Sequence, residues 1–142
     1  MPKGVKMTLD ELYEFAESEN IDIHAAALPL SQSVSIMDDN LNCYIGIDYD
    51  LIHSRAEEKR KLAHEIGHCV KGAFYNRHSK LDLISKHEYS ADKWACENLL
   101  PKSDMQKAFR KGYVEVWQLA EYFDVPEELV KKALWIYFDK TI

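Results

Sequence analysis

The run His64-Glu65-Ile66-Gly67-His68 constrains this chain more than any other feature. It lies in a stretch of helical pattern that opens at Ser54 and continues through Arg55-Ala56-Glu57-Glu58-Lys59-Arg60-Lys61-Leu62-Ala63. Ser54, with Glu57 three residues on, reads as a capping box, and the spacing predicts a helix to about Phe74. Residues four apart on a helix share a face, so both imidazoles can reach one metal ion. Glu65 is displaced around the helix axis, where it can hold a water instead. Leu62, Ala63, Ile66 and Val70 flank the motif and predict a buried helix. The plain alternative is two idle histidines on a charged helix surface. With six histidines in 142 residues, roughly 0.02 chance matches are expected, which disfavours it. Gly67 and Gly72 are weak helix formers, so something other than propensity must hold this segment.

Twenty residues after His68, Glu88-Tyr89-Ser90-Ala91-Asp92 carries two carboxylates that are also four apart on a predicted helix. Borderline-soft Zn²⁺ suits imidazole and carboxylate donors, and a catalytic site needs three protein ligands and an open position. Glu88 can supply the third ligand, and Asp92 can accept the free ring N–H of a ligand histidine. The alternative is an exposed acidic helix face. Small Ala91 and Ala95 beside Trp94 favour close helix packing and weigh against that.

Around these two pieces the pattern is mixed. Thr8 and Glu11 form a capping box for a short helix in which Leu9, Leu12, Tyr13, Phe15 and Ala16 recur, fading at Glu19-Asn20. Residues 33–37 and 42–47 alternate polar and apolar around the turn-forming Asp38-Asp39-Asn40, predicting a β-hairpin. Helices are predicted over about 84–100, ending before Pro101, and over about 102–111, 114–123 and 126–138, with Pro126 in a first turn. The fold class is α+β: a small β-sheet or hairpin, an active-site helix and C-terminal helices. The length fits one domain over residues 1–142, with a helical part from about 102 to 142. Eighteen basic against 24 acidic side chains give a net charge of −6, which opposes general nucleic-acid binding. No apolar run approaches the roughly 18 to 20 residues of a membrane span, and no apolar leader follows the N-terminus. Three cysteines, Cys43, Cys69 and Cys96, are an odd count that reads as reduced thiols in a cytoplasmic protein.

Leu62-Ala63-His64-Glu65-Ile66-Gly67-His68, then Glu88-Tyr89-Ser90-Ala91-Asp92-Lys93-Trp94-Ala95, then Leu99-Leu100-Pro101 resemble the ImmA/IrrE family of small zinc metallopeptidases. Tyr44-Ile45-Gly46-Ile47-Asp48 is similar to that family's strand before the active-site helix. The resemblance implies a zincin-like fold, metal ligands at His64, His68 and Glu88, a catalytic glutamate at Glu65, and Asp92 at a position often filled by Asp or Asn. It also implies a protein substrate, since members commonly occur with phage or mobile-element repressors that some of them inactivate. The expected chemistry is zinc-assisted amide hydrolysis with Glu65 relaying the proton. Tyr89, Tyr113, His78 and His87 are candidates by type for stabilising the oxyanion, and none is assigned. Cys69, next to a ligand in sequence but not on its face, reads as a packed residue and not a fourth ligand. His24 and His53 have no assigned role. The hairpin either offers an edge strand to an extended substrate or is an ordinary half-buried hairpin.

Residues 116–134 resemble a helix-turn-helix, but the second helix opens with Glu127-Glu128, which repels phosphates. The unit therefore reads as a packing or docking element. The expected function is a zinc endopeptidase acting on a repressor-type regulator. The alternatives are a non-hydrolytic metal-containing binding module and a DNA-binding regulator through the C-terminal helices.

Overall fold

A computed structural model describes residues 6–72, 74 and 79–139. Helix α1 spans Leu9–Ser18, and its capping box is complete: Thr8 Oγ1 accepts from the Glu11 N–H at 3.2 Å, and Glu11 Oε1 accepts from the Thr8 N–H at 2.9 Å. The chain leaves α1 through Asn20 at φ 57° and enters strand β1, Asp22–Ala25. Strands β2, Ser33–Met37, and β3, Cys43–Ile47, form the predicted antiparallel hairpin, with Ser33 opposite Ile47 and Met37 opposite Cys43. Asp38 holds the turn, its Oδ1 accepting from the N–H groups of Asn40 and Asn42, each at 2.9 Å. The sequence reading missed β1, which pairs parallel to β3 and gives the order β1-β3-β2. Three of its four residues are exposed, so no buried alternation marks it; its pairing with β3 is what makes it a strand.

A 3₁₀ turn, Tyr49–Leu51, leads to α2, Arg55–Lys71. Ser54 accepts from the Glu57 N–H at 3.1 Å, but Glu57 Oε2 takes the N–H of His53, so the expected reciprocal bond falls one residue upstream. The helix also stops before Phe74, because Gly72 takes the left-handed conformation (φ 62°) that closes a helix and favours glycine. Helix α3, Leu81–Leu99, starts three residues before its predicted beginning and ends ahead of Pro101. Helices α4, Lys102–Arg110, α5, Val116–Phe123, and α6, Glu127–Phe138, complete the chain, with Pro126 as the N-cap of α6 and not inside its first turn.

Ile45 and Ile47 of the central strand, Leu62 and Ile66 of α2, Leu99 of α3 and Phe123 of α5 are fully buried in one core. Lys59, in the buried face of α2, donates to the Phe123 carbonyl at 2.9 Å and so ties α5 to α2. Gly67 explains itself through packing: a Cβ there would lie 2.8 Å from the Ala91 carbonyl oxygen. Without a side chain at that point, α2 and α3 pack backbone to backbone.

The thiol expectation requires correction. Cys43, at the start of the central strand, and Cys69, in the last turns of α2, are joined by a disulfide, with their Cα atoms 6.0 Å apart. The spacing lies in the ordinary range for a bridge, and it arises where α2 packs against β2 and β3. Cys96 alone is free, and it is buried. The cytoplasmic expectation loses the support it drew from reduced thiols. Among the described residues, no helix is long and apolar enough to cross a membrane.

Candidate metal centre

Close packing of α2 on α3 brings three of the sequence-predicted residues to one point. His64 Nε2 lies 2.9 Å from Glu88 Oε2, His68 Nε2 lies 3.2 Å from Glu88 Oε1, and the two Nε2 atoms are 3.2 Å apart. The two rings stand nearly perpendicular, as converging i, i+4 imidazoles must. Tetrahedral coordination with bonds of about 2.0–2.1 Å separates donor atoms by roughly 3.3 Å. The two Nε2 atoms stand near that spacing, each with a different Glu88 oxygen beside it, and the set of two imidazoles and one carboxylate could hold a metal ion with a position to spare.

Asp92, one turn after Glu88, is 8% exposed and meets the other side of His64: its Oδ1 lies 2.8 Å from Nδ1. Arg60 Nη2 also reaches Oδ1, at 3.1 Å, and Lys132 Nζ of α6 reaches Oδ2 at 2.7 Å. Arg60 Nε in turn pairs with Glu128 Oε1 at 2.6 Å. Burial by itself would raise the Asp92 pKa, but the His64 and Lys132 hydrogen bonds and the Arg60 charge outweigh it and hold the carboxyl well below its usual range. Burial works against a charged His64, while hydrogen bonds to Asp92 and Glu88 push its pKa up to about 9 in the metal-free protein. Asp92 is thus an anion facing the ring nitrogen that must carry the proton if Nε2 is to bind a metal.

Glu65 does not join the three converging donors. It is 6% exposed, and its Oε2 accepts a hydrogen bond from Ser33 Oγ at 2.7 Å. All four residues open onto a cavity of about 460 Å³, walled on one side by residues 31–35 and on the other by α2 and α3. Tyr89, Tyr113 and His87 do not line it; His78 lies outside the described residues. His24 and His53 are likewise not among its walls. Cys69 is occupied by its disulfide.

Sequence reading missed Ser33, Arg60 and Lys132. Arg60 stands one helical turn before His64, so periodicity offered a signal. Ser33 and Lys132 arrive from a strand and from the last helix, and no local pattern links them to the motif. Within the helix-turn-helix-like stretch, the first turns of α6 turn Glu128 and Lys132 toward Arg60 and Asp92.

An α+β domain in which a helix carries His-Glu-x-x-His and the next helix supplies a glutamate defines a metallopeptidase of the zincin type. The chain belongs to the IrrE N-terminal-like domain family, Peptidase_M78, whose model matches residues 16–134. A comparison with curated proteins finds no match.

Proposed function

We propose that this chain is a zinc-dependent endopeptidase that cuts a regulatory protein of repressor type, with residues 1–142 forming one catalytic unit. The observation that carries the reading is the convergence of His64, His68 and Glu88, with Glu65 on the same cavity. His64, His68 and Glu88 would hold zinc, which when bound would supply the Lewis acidity to acidify water and polarise the scissile carbonyl. Asp92 keeps the His64 proton on Nδ1 and directs Nε2 inward. Glu65 accepts the proton of the attacking water and returns it to the leaving amine.

The sheet supports a peptide substrate. Strand β2 is an edge, because among the described residues only β3 pairs with it. Asp48 donates to the Gln32 carbonyl and Asp38 to that of Asn42, so the even-numbered residues of the strand are the hydrogen-bonded partners of β3. The main-chain groups of Ser33, Ser35 and Met37 therefore point out of the sheet, and residues 31–35 wall the cavity. An extended peptide adding to that edge lies over the metal centre.

The test incubates the zinc-loaded protein and its Glu65→Gln variant with a purified repressor chosen as candidate substrate, and reads products by mass spectrometry. Cleavage by wild type and a loss of at least about 10²-fold in the variant are expected, at equal zinc content. His64→Ala, His68→Ala and Glu88→Ala should each lose zinc by elemental analysis. Relief of repression by Glu65→Gln without cleavage would instead support a binding module.

A further inference from the structure

Glu65 needs more than its helix to be useful. Three side-chain torsions separate its carboxylate from α2, and a long side chain gives up considerable rotamer freedom when held in one place. Ser33 is its hydrogen-bond partner, reaching from the edge strand to Oε2 at 2.7 Å. Among the described residues Oε1 has no such bond, which leaves it free for the reaction. Ser33 is itself well held. It sits opposite Ile47 in the sheet, and its carbonyl accepts from Ser31 Oγ at 2.9 Å.

We propose that Ser33 is a positioning residue for Glu65: its hydroxyl fixes Oε2 so that Oε1 faces the attacking water. The inference deepens the reading of Glu65 as proton acceptor and rests on it. It also joins two parts of the site. Ser33 belongs to the open edge, its N–H directed to where a peptide strand would add, so the residue that meets substrate backbone also orients the base.

Crystal structures of the metal-free wild type, Ser33→Ala and Ser33→Thr provide a readout that needs neither zinc nor substrate. The Glu65 carboxylate should leave its place in Ser33→Ala and keep it in Ser33→Thr, because threonine retains the hydroxyl and suits a strand. Kinetics follow with the zinc-loaded proteins on an internally quenched peptide, selected from a random-sequence library for cleavage by wild type. Loss of a hydrogen bond to a charged group corresponds to about a 10- to 100-fold fall in kcat. KM should stay within about twofold, and Ser33→Thr should restore most of the rate. An unmoved Glu65 carboxylate or an unchanged kcat in Ser33→Ala overturns the proposal. A rise in KM at constant kcat also overturns it, making Ser33 a substrate contact only. If wild type and Glu65→Gln are equally inactive on the whole library, the peptidase reading falls and takes this one with it. If wild type is active and Ser33→Ala matches it, only the role of Ser33 falls.

Discussion

Gly67 and Ala91 meet backbone to backbone: a Cβ on Gly67 would stand 2.8 Å from the Ala91 carbonyl oxygen and 3.1 Å from its Cα. The glycine sits between the two motif histidines, and Ala91 sits between Glu88 and Asp92. One contact thus holds together the two helices that carry the candidate metal ligands.

Gly67→Ala tests that relationship. In an isolated helix the change would stabilise by roughly 1 kcal/mol. Here the obstructing atoms are backbone and cannot swing aside, so overpacking of about 1–3 kcal/mol should win. A lowered urea midpoint and weaker zinc retention are expected. A more stable variant with unchanged zinc affinity would show that the helices can separate freely.

Asp92 should respond in two grades. Asp92→Ala removes the acceptor for His64 Nδ1 and leaves Arg60, which is 7% exposed, with Glu128 as its remaining carboxylate among the described partners. Breaking a buried pair on one side typically destabilises by about 3 kcal/mol or more. Asp92→Asn can still accept from the imidazole and should be milder in both stability and zinc affinity, the latter falling by about 10- to 100-fold. Chemical denaturation and zinc-competition titrations of both variants separate the grades. Equal behaviour of Asp92→Ala and wild type would reduce Asp92 to surface charge.

The raised His64 pKa makes the metal-free protein sensitive to alkali. In the unfolded chain this histidine titrates near 6.5, and in the folded metal-free protein near 9. A group whose pKa is raised by folding contributes its full stabilisation below about 6.5 and loses it as pH climbs through about 9. The contribution is on the order of 3 kcal/mol at most. Metal-free protein should therefore unfold at lower urea at pH 9.5 than at pH 6, and His64→Gln should flatten the difference. Zinc replaces that proton, so the loaded protein should not lose stability over the same interval.

Thiol counting distinguishes the disulfide from three reduced cysteines. Cys96 is buried, and burial pushes its pKa up to about 12, so it should resist iodoacetamide in the native protein. Without reductant, denaturation should expose one alkylatable thiol; with reductant, three. Three thiols reacting without reductant would remove the Cys43–Cys69 bridge.

The sequence by itself determined the features whose physics is local. The Thr8 cap, the Asp38 hairpin turn and the helix end ahead of Pro101 depend on residues within a few positions of one another, and they stand where the spacing places them. The pairing of His64 with His68, and of Glu88 with Asp92, is also local, because a helix puts i and i+4 on one face. What brings the two pairs together is the missing side chain of Gly67 against Ala91, a contact between helices that no periodicity encodes. Only the tertiary structure decided that β1 would pair with β3, that Cys43 would meet Cys69, and that Ser33 and Lys132 would reach Glu65 and Asp92. Each of these joins residues more than 15 positions apart, where the chain between them sets no direction. Packing of the whole core does.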